Sequence, residues 1–176
     1  MTYDFISNSE IEGINAPEKF YVYATSYLNS AILLNQNIIA NKDERHWGSS
    51  AVVLHLSAHA MELFLKFAIY THSIDSEIEH HDIEELYDQY NGIYNDSTHK
   101  LHMPFLTEHI LLSSETIEEE RKKSKRTIST RSVRYRYPMK TVKKEWHSTE
   151  AFEPSWFLQT LDQMKSDFSR IRDRIT

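Results

Sequence analysis

The chain has 176 residues, 40% of them hydrophobic, which suits one domain around one core and excludes a disordered chain. It has no cysteine, which excludes a disulfide scaffold, a thiolate metal site and a cysteine nucleophile, and fits a reducing, cytoplasmic setting. The net charge of −6 is uneven: residues 121–144, "RKKSKRTISTRSVRYRYPMKTVKK", hold eleven Lys or Arg and no acid, and removing those eleven leaves −17 for the rest.

The start, "MTYDFISNSE", has no basic residues leading into an apolar run, so no signal peptide is expected. No apolar stretch reads as long enough to span a membrane, and no membrane partner is expected. From Pro17 to about Asn41, Phe20, Ala24, Tyr27, Ala31, Leu34 and Ile38 follow helical spacing, and Pro17 suits a first turn. A second long helix is predicted from about Arg45 to His72, with Leu54, Ala58, Met61, Leu65, Ala68 and Ile69 on its apolar face. The short link between the two predicts an antiparallel pair.

"HDIEELYDQYNGIYND" predicts a third helix, with Asp82 as its cap and Glu85 three residues later as in a capping box. Its apolar positions are Ile83, Leu86, Tyr87, Tyr90 and Tyr94. A fourth helix is predicted from Pro104 to about Lys123. "STRSVRYRYPMK" then breaks the helical pattern, since alternation and Pro138 favour extended chain. The last helix, from Pro154, carries Phe157, Leu161, Met164, Phe168, Ile171 and Ile175 at spacings of 4, 3, 4, 3 and 4. The expected fold is all-α: one domain over 1–176, core about 17–175, with about five helices, two of them long and antiparallel, and an extended basic segment before the last.

Two groups of residues carry chemistry. His55, His59, Glu62 and Lys66 lie at offsets of 0, 4, 7 and 11, so one helical face presents all four. His55, His59 and Glu62 are types that ligate zinc or non-haem iron, but the same seam also suits a buried polar row satisfied by neighbouring helices. At the start of the third helix stand His80, His81 and Asp82. Together with Glu62 and Arg136 they supply an acid, a base and a cation able to converge. The basic segment offers Arg131, Arg134, Lys140, Lys143 and Lys144 to phosphate, with Tyr135 for stacking on a base. Alternatively it docks on the protein's own acids, since residues 73–90 hold seven acids and no Lys or Arg. Arg136 is expected to turn inward to Glu62 or Asp82.

"AHAMELFLKFAIY", "HHDIEELYDQY" and "RYRYP", in that order, resemble the HEPN domains (higher eukaryotes and prokaryotes nucleotide-binding). Glu62, Leu63, Leu65 and Lys66 match a Glu-Leu-x-Leu-Lys-type run. His81, Asp82, Ile83 and Leu86 match a His-Asp run that opens the next helix, and Arg136, Tyr137 and Pro138 match an Arg-Tyr-Pro element. The resemblance implies a helical bundle that is often a homodimer and is associated with RNA or nucleotide. It also implies a place in toxin–antitoxin, phage-defence or RNA-processing systems, with an antitoxin or other protein as partner. Active HEPN ribonucleases use no metal or cofactor, and rely on an Arg and a His separated by four to six intervening residues. No Arg here has a His at that spacing; Lys140 and His147 come nearest, and lysine lacks the planar fork of arginine. Catalytic candidates are therefore His55, His59, Glu62, Lys66, His81, Asp82 and Arg136. A metal-dependent enzyme and a non-catalytic protein-interaction bundle stand as the alternatives.

Overall fold

The computed structural model describes residues 8–76, 78, 80–105, 139–141, 144–145 and 152–176. The protein is a helical bundle. A single turn, α1 (Ser9–Glu12), precedes two long helices, α2 (Ala16–Ala40) and α3 (Trp47–His72). These are followed by α4 (Ile83–Ile93), a short antiparallel pairing of β1 (Met139–Thr141) with β2 (Lys144–Glu145), and α5 (Pro154–Ile175). The predicted fourth helix lies outside the described residues beyond Pro104 and Phe105, which form a turn. Residues 129–138 of the Arg-Tyr stretch also lie outside them.

Local signals fix the helix ends. Asn15 caps α2 by accepting from Glu18 N, with Pro17 in the first turn. α3 begins at Trp47 rather than Arg45, because His46 caps it, Nδ1 accepting from Ser49 N at 3.4 Å. Asp82 caps α4 by accepting from the amides of Glu84 and Glu85. The predicted capping box is not closed, since the Glu85 carboxylate lies 3.6 Å from His80 instead. Glu153 caps α5 through Trp156 N.

Phe20 packs on Tyr70, Tyr21 on Phe67 and Tyr27 on His59, so residue numbers fall along α3 as they rise along α2. The two long helices are therefore antiparallel, joined by a link that is partly a 3-10 turn, Lys42–Glu44. α5 also runs antiparallel to α2. At one end Asn35 Nδ2 donates to Pro154 O at 2.7 Å; at the other Arg172 reaches Glu18 at 3.0 Å and lies over the Tyr21 ring. Phe64 of α3 stacks on Phe168 of α5, ring centroids 3.9 Å apart.

α3 is the centre of the core and is buried on nearly every side. By length and composition it is apolar enough to cross a membrane, contrary to the sequence expectation, and 72% of its apolar window is buried inside the bundle. A helix packed on several faces keeps little polar surface, and such burial fits the core helix of a bundle.

Beyond α3 the chain returns to it at His81, and α4 then runs beside α3. Tyr94 Oη donates to Ala68 O, while His81 sits at the level of Glu62. Tyr87 and Tyr90 donate to Leu101 O and His99 O, strapping the next segment to α4. Burial pushes the Tyr90 phenol well above the usual tyrosine pKa.

Candidate polar site on the central helix

Glu62 projects from the core helix and is only 3% exposed. An ionised carboxylate at that depth needs several donors. It has three. Lys66, one turn on, places Nζ 3.1 Å from Oε1. His81, delivered by the returning segment, places Nδ1 2.7 Å from the same oxygen. His59, one turn back, places Nδ1 3.4 Å from Oε2. Burial by itself would raise the pKa of Glu62; the bonds from His59, His81 and Lys66, with the Lys66 charge, outweigh it and bring the value down to about 2.

The four groups differ in their access to solvent. Lys66 is buried and His59 half-buried, its ring edge-on to Tyr27 and stacked on His55 at 6.1 Å. The His81 side chain is 73% exposed. The cluster is thus a buried carboxylate and ammonium with one imidazole at the rim. Lys66 Nζ is also 3.4 Å from His81 Nδ1. The shorter His81–Glu62 contact suits a proton on Nδ1 directed at the carboxylate.

Sequence reasoning put His55, His59, Glu62 and Lys66 on one face, and they share it. Glu62 and His81 converge, as the sequence allowed. Asp82 remains the cap of α4, with its Oδ1 occupied by two amides. The arginine expected at Glu62 or Asp82, Arg136, lies outside the described residues; among those described, the cation at Glu62 is Lys66, from the same helix. Arg131, Arg134, Tyr135, Arg136 and Lys143 lie outside the described residues. Lys140 is on β1 and Lys144 on β2. Among the described residues no group of three or more His, Asp or Glu side chains is placed to hold a metal ion. His55, His59 and Glu62 do not share a common centre of that kind.

A second buried acid was missed. Asp167 of α5 is 4% exposed and accepts from His102 N, Gln163 Nε2 and Arg170 Nη2 at 2.9, 3.1 and 2.9 Å. Arg170 also donates to Thr98 O and Lys100 O. The group ties residues 98–102 to α5. Asp167 stands beside the apolar stripe next to Lys165 and Ser166, and nothing in the spacing sets it apart from them. The groove beside it, about 680 Å³ and lined by Tyr87, Lys100, His102, Gln163 and Arg170, contains none of the Glu62 cluster.

Comparison with models of known families, with curated proteins and with solved structures found no match for this chain.

Proposed function

We propose that this protein is an RNA-associated helical domain of the HEPN type, acting in the cytoplasm as a homodimer or with a protein partner such as an antitoxin. The observation that carries the reading is the meeting of Glu62 and Lys66 with His81. These residues come from two of the three short motifs on which the resemblance rests. Motifs matched by chance would have no reason to meet at one point in space. Here they share a carboxylate oxygen. The eleven cations of residues 121–144 supply the electrostatic means of holding a polyanion.

The test is binding of single-stranded RNA across a salt series. A subset of the eleven cations makes about 3–5 phosphate contacts, which gives a log–log slope of about −2 to −4. Changing Arg131 and Arg134 to Ala weakens binding and flattens the slope by about one unit per lost contact. Unchanged affinity with lowered thermal stability would instead pair these arginines with the protein's own acids.

A further inference from the structure

Residues 100–103 belong to no helix or strand, yet side chains from α4 and α5 hold three of them in succession by the backbone. Arg170 Nη2 donates to Lys100 O, Tyr87 Oη donates to Leu101 O, and Asp167 Oδ2 accepts from His102 N. Leu101 and Met103 are buried, and Lys100 and His102, which alternate with them, are exposed. Around this stretch Asp96 bonds Thr98 and His99, and Asp167 bonds Gln163 and Arg170. Among the described residues the Lys100 ammonium and the His102 ring have no such partner. Both line the groove of about 680 Å³ that Tyr87 bounds on the α4 side and Gln163 and Arg170 on the α5 side. That volume suits a small organic molecule. Leu101, Met103 and the Tyr87 ring give the groove apolar surface. Its one acid, Asp167, is balanced by Arg170 and has both oxygens occupied. The charge left over is that of Lys100, on a backbone already fixed by folding, so a ligand has little ordering to bring about there.

We propose that this groove binds a small organic monoanion, a carboxylate whose aromatic or aliphatic body rests on Leu101, Met103 and Tyr87 and whose charge meets Lys100. The inference stands apart from the RNA-associated reading, since it uses neither the Glu62 cluster nor residues 121–144. Charge selects the class. A carboxylate matches the single cation, whereas a phosphate monoester brings about −1.5 to −2 at neutral pH and leaves part of that unmatched beside apolar surface. The apolar lining selects a ligand with a body rather than a bare inorganic anion. The His102 ring and the second N–H of Gln163 Nε2, whose first goes to Asp167, are further donors for the carboxylate oxygens.

The experiment titrates the full chain, labelled with ¹⁵N, with 2-naphthoate, its neutral counterpart 2-naphthamide, and 2-naphthyl phosphate, following the amide signals of Lys100–Met103 and Gln163. The expected result is that 2-naphthoate moves these signals with a Kd on the order of 1 mM or below. The amide binds about 10-fold more weakly, as loss of a charge-assisted bond implies, and the phosphate also binds more weakly than the carboxylate. Lys100→Ala weakens 2-naphthoate by about 10-fold and leaves 2-naphthamide unchanged, which a general loss of structure would not do. Lys100→Arg keeps most of the affinity. Lys165→Ala, which removes an exposed α5 cation outside the groove, has no effect. No movement of these signals with any of the three compounds overturns the site. Equal binding of amide and carboxylate overturns the role of charge, and tighter binding of the phosphate overturns the choice of a monoanion. Wild-type affinity in Lys100→Ala overturns the role of Lys100.

Discussion

His81 Nδ1 lies 2.7 Å from Glu62 Oε1, although nineteen positions separate the two residues and His81 itself belongs to no helix or strand. Much of the attachment of the chain there to α3 thus runs through a charged acceptor, which makes it sensitive to acid. The carboxylate titrates at about 2 in the folded protein against an ordinary value of 4.5. A lowered folded-state pKa contributes stability above the ordinary value, and that stability is lost as pH falls from about 4.5 towards 2. The contribution is on the order of 3 kcal/mol. Urea denaturation at a series of pH values should show this fall, and Glu62→Gln should flatten it. An acid limb of the same size in Glu62→Gln would place the sensitive group elsewhere.

The Glu62–Lys66 pair makes a sharper prediction. Lys66 is 6% exposed, so removing its acid leaves a buried ammonium without its counter-ion. Glu62→Ala is expected to cost about 3–5 kcal/mol. The double change Glu62→Leu with Lys66→Met removes both charges and keeps the volume. It should recover most of that loss, because a buried ion pair offers little net gain over well-packed apolar groups. Melting curves of the wild type, the single variant and the double variant decide it. A double variant as unstable as Glu62→Ala would mean that His59 and His81, not Lys66, dominate the balance.

Asp167 and Glu18 both accept from arginine, but their settings predict different costs. Asp167 is buried and serves a backbone amide as well as Arg170 and Gln163, so Asp167→Ala strands the His102 N–H and is expected to cost about 2–4 kcal/mol. Glu18 meets Arg172 where that side chain is 40% exposed, and Glu18→Gln should cost less than about 1 kcal/mol, diminishing with added salt. Equal losses in the two variants would refute the distinction by burial.

The most legible part of the fold was α5, whose apolar and polar residues segregate cleanly along the helix although it meets both α2 and α3. On α5, five of the six stripe residues are buried, from Phe157 to Ile171, and Ile175 is half-buried at the frayed end. α2 was read less completely. It touches both α3 and α5, so its buried face widens to include Leu28, Ile32 and Asn35, which a single stripe does not mark. α3 is buried nearly all round, which blurs its periodicity. Of the candidate site, the shared face of His59, Glu62 and Lys66 follows from spacing alone. That His81 completes it depends on the path of residues 73–82, which nothing in their local pattern dictates. Asp167 escaped because it follows Lys165 and Ser166 in a polar stretch between stripe positions, and nothing there hints at a backbone amide arriving from residue 102.

The Phe64–Phe168 stack joins α3 to α5, and its geometry predicts how its energy divides. Both rings are almost wholly buried, so Phe168→Ala is expected to cost about 3–5 kcal/mol through lost transfer energy and the cavity left behind. The ring planes differ by 3° and the centroids are 3.9 Å apart, so the rings overlap closely face to face. Aromatic quadrupoles favour offset or edge-on pairs at longer separations, where the specific term reaches about 0.5–1.5 kcal/mol. Here that term should fall at the low end. A double-mutant cycle with Phe64→Leu and Phe168→Leu keeps the site filled and isolates it. The expected coupling is about 0.5 kcal/mol, far below the cost of Phe168→Ala. A coupling above about 1.5 kcal/mol would show that ring–ring attraction, rather than burial of apolar surface, holds α5 against the central helix.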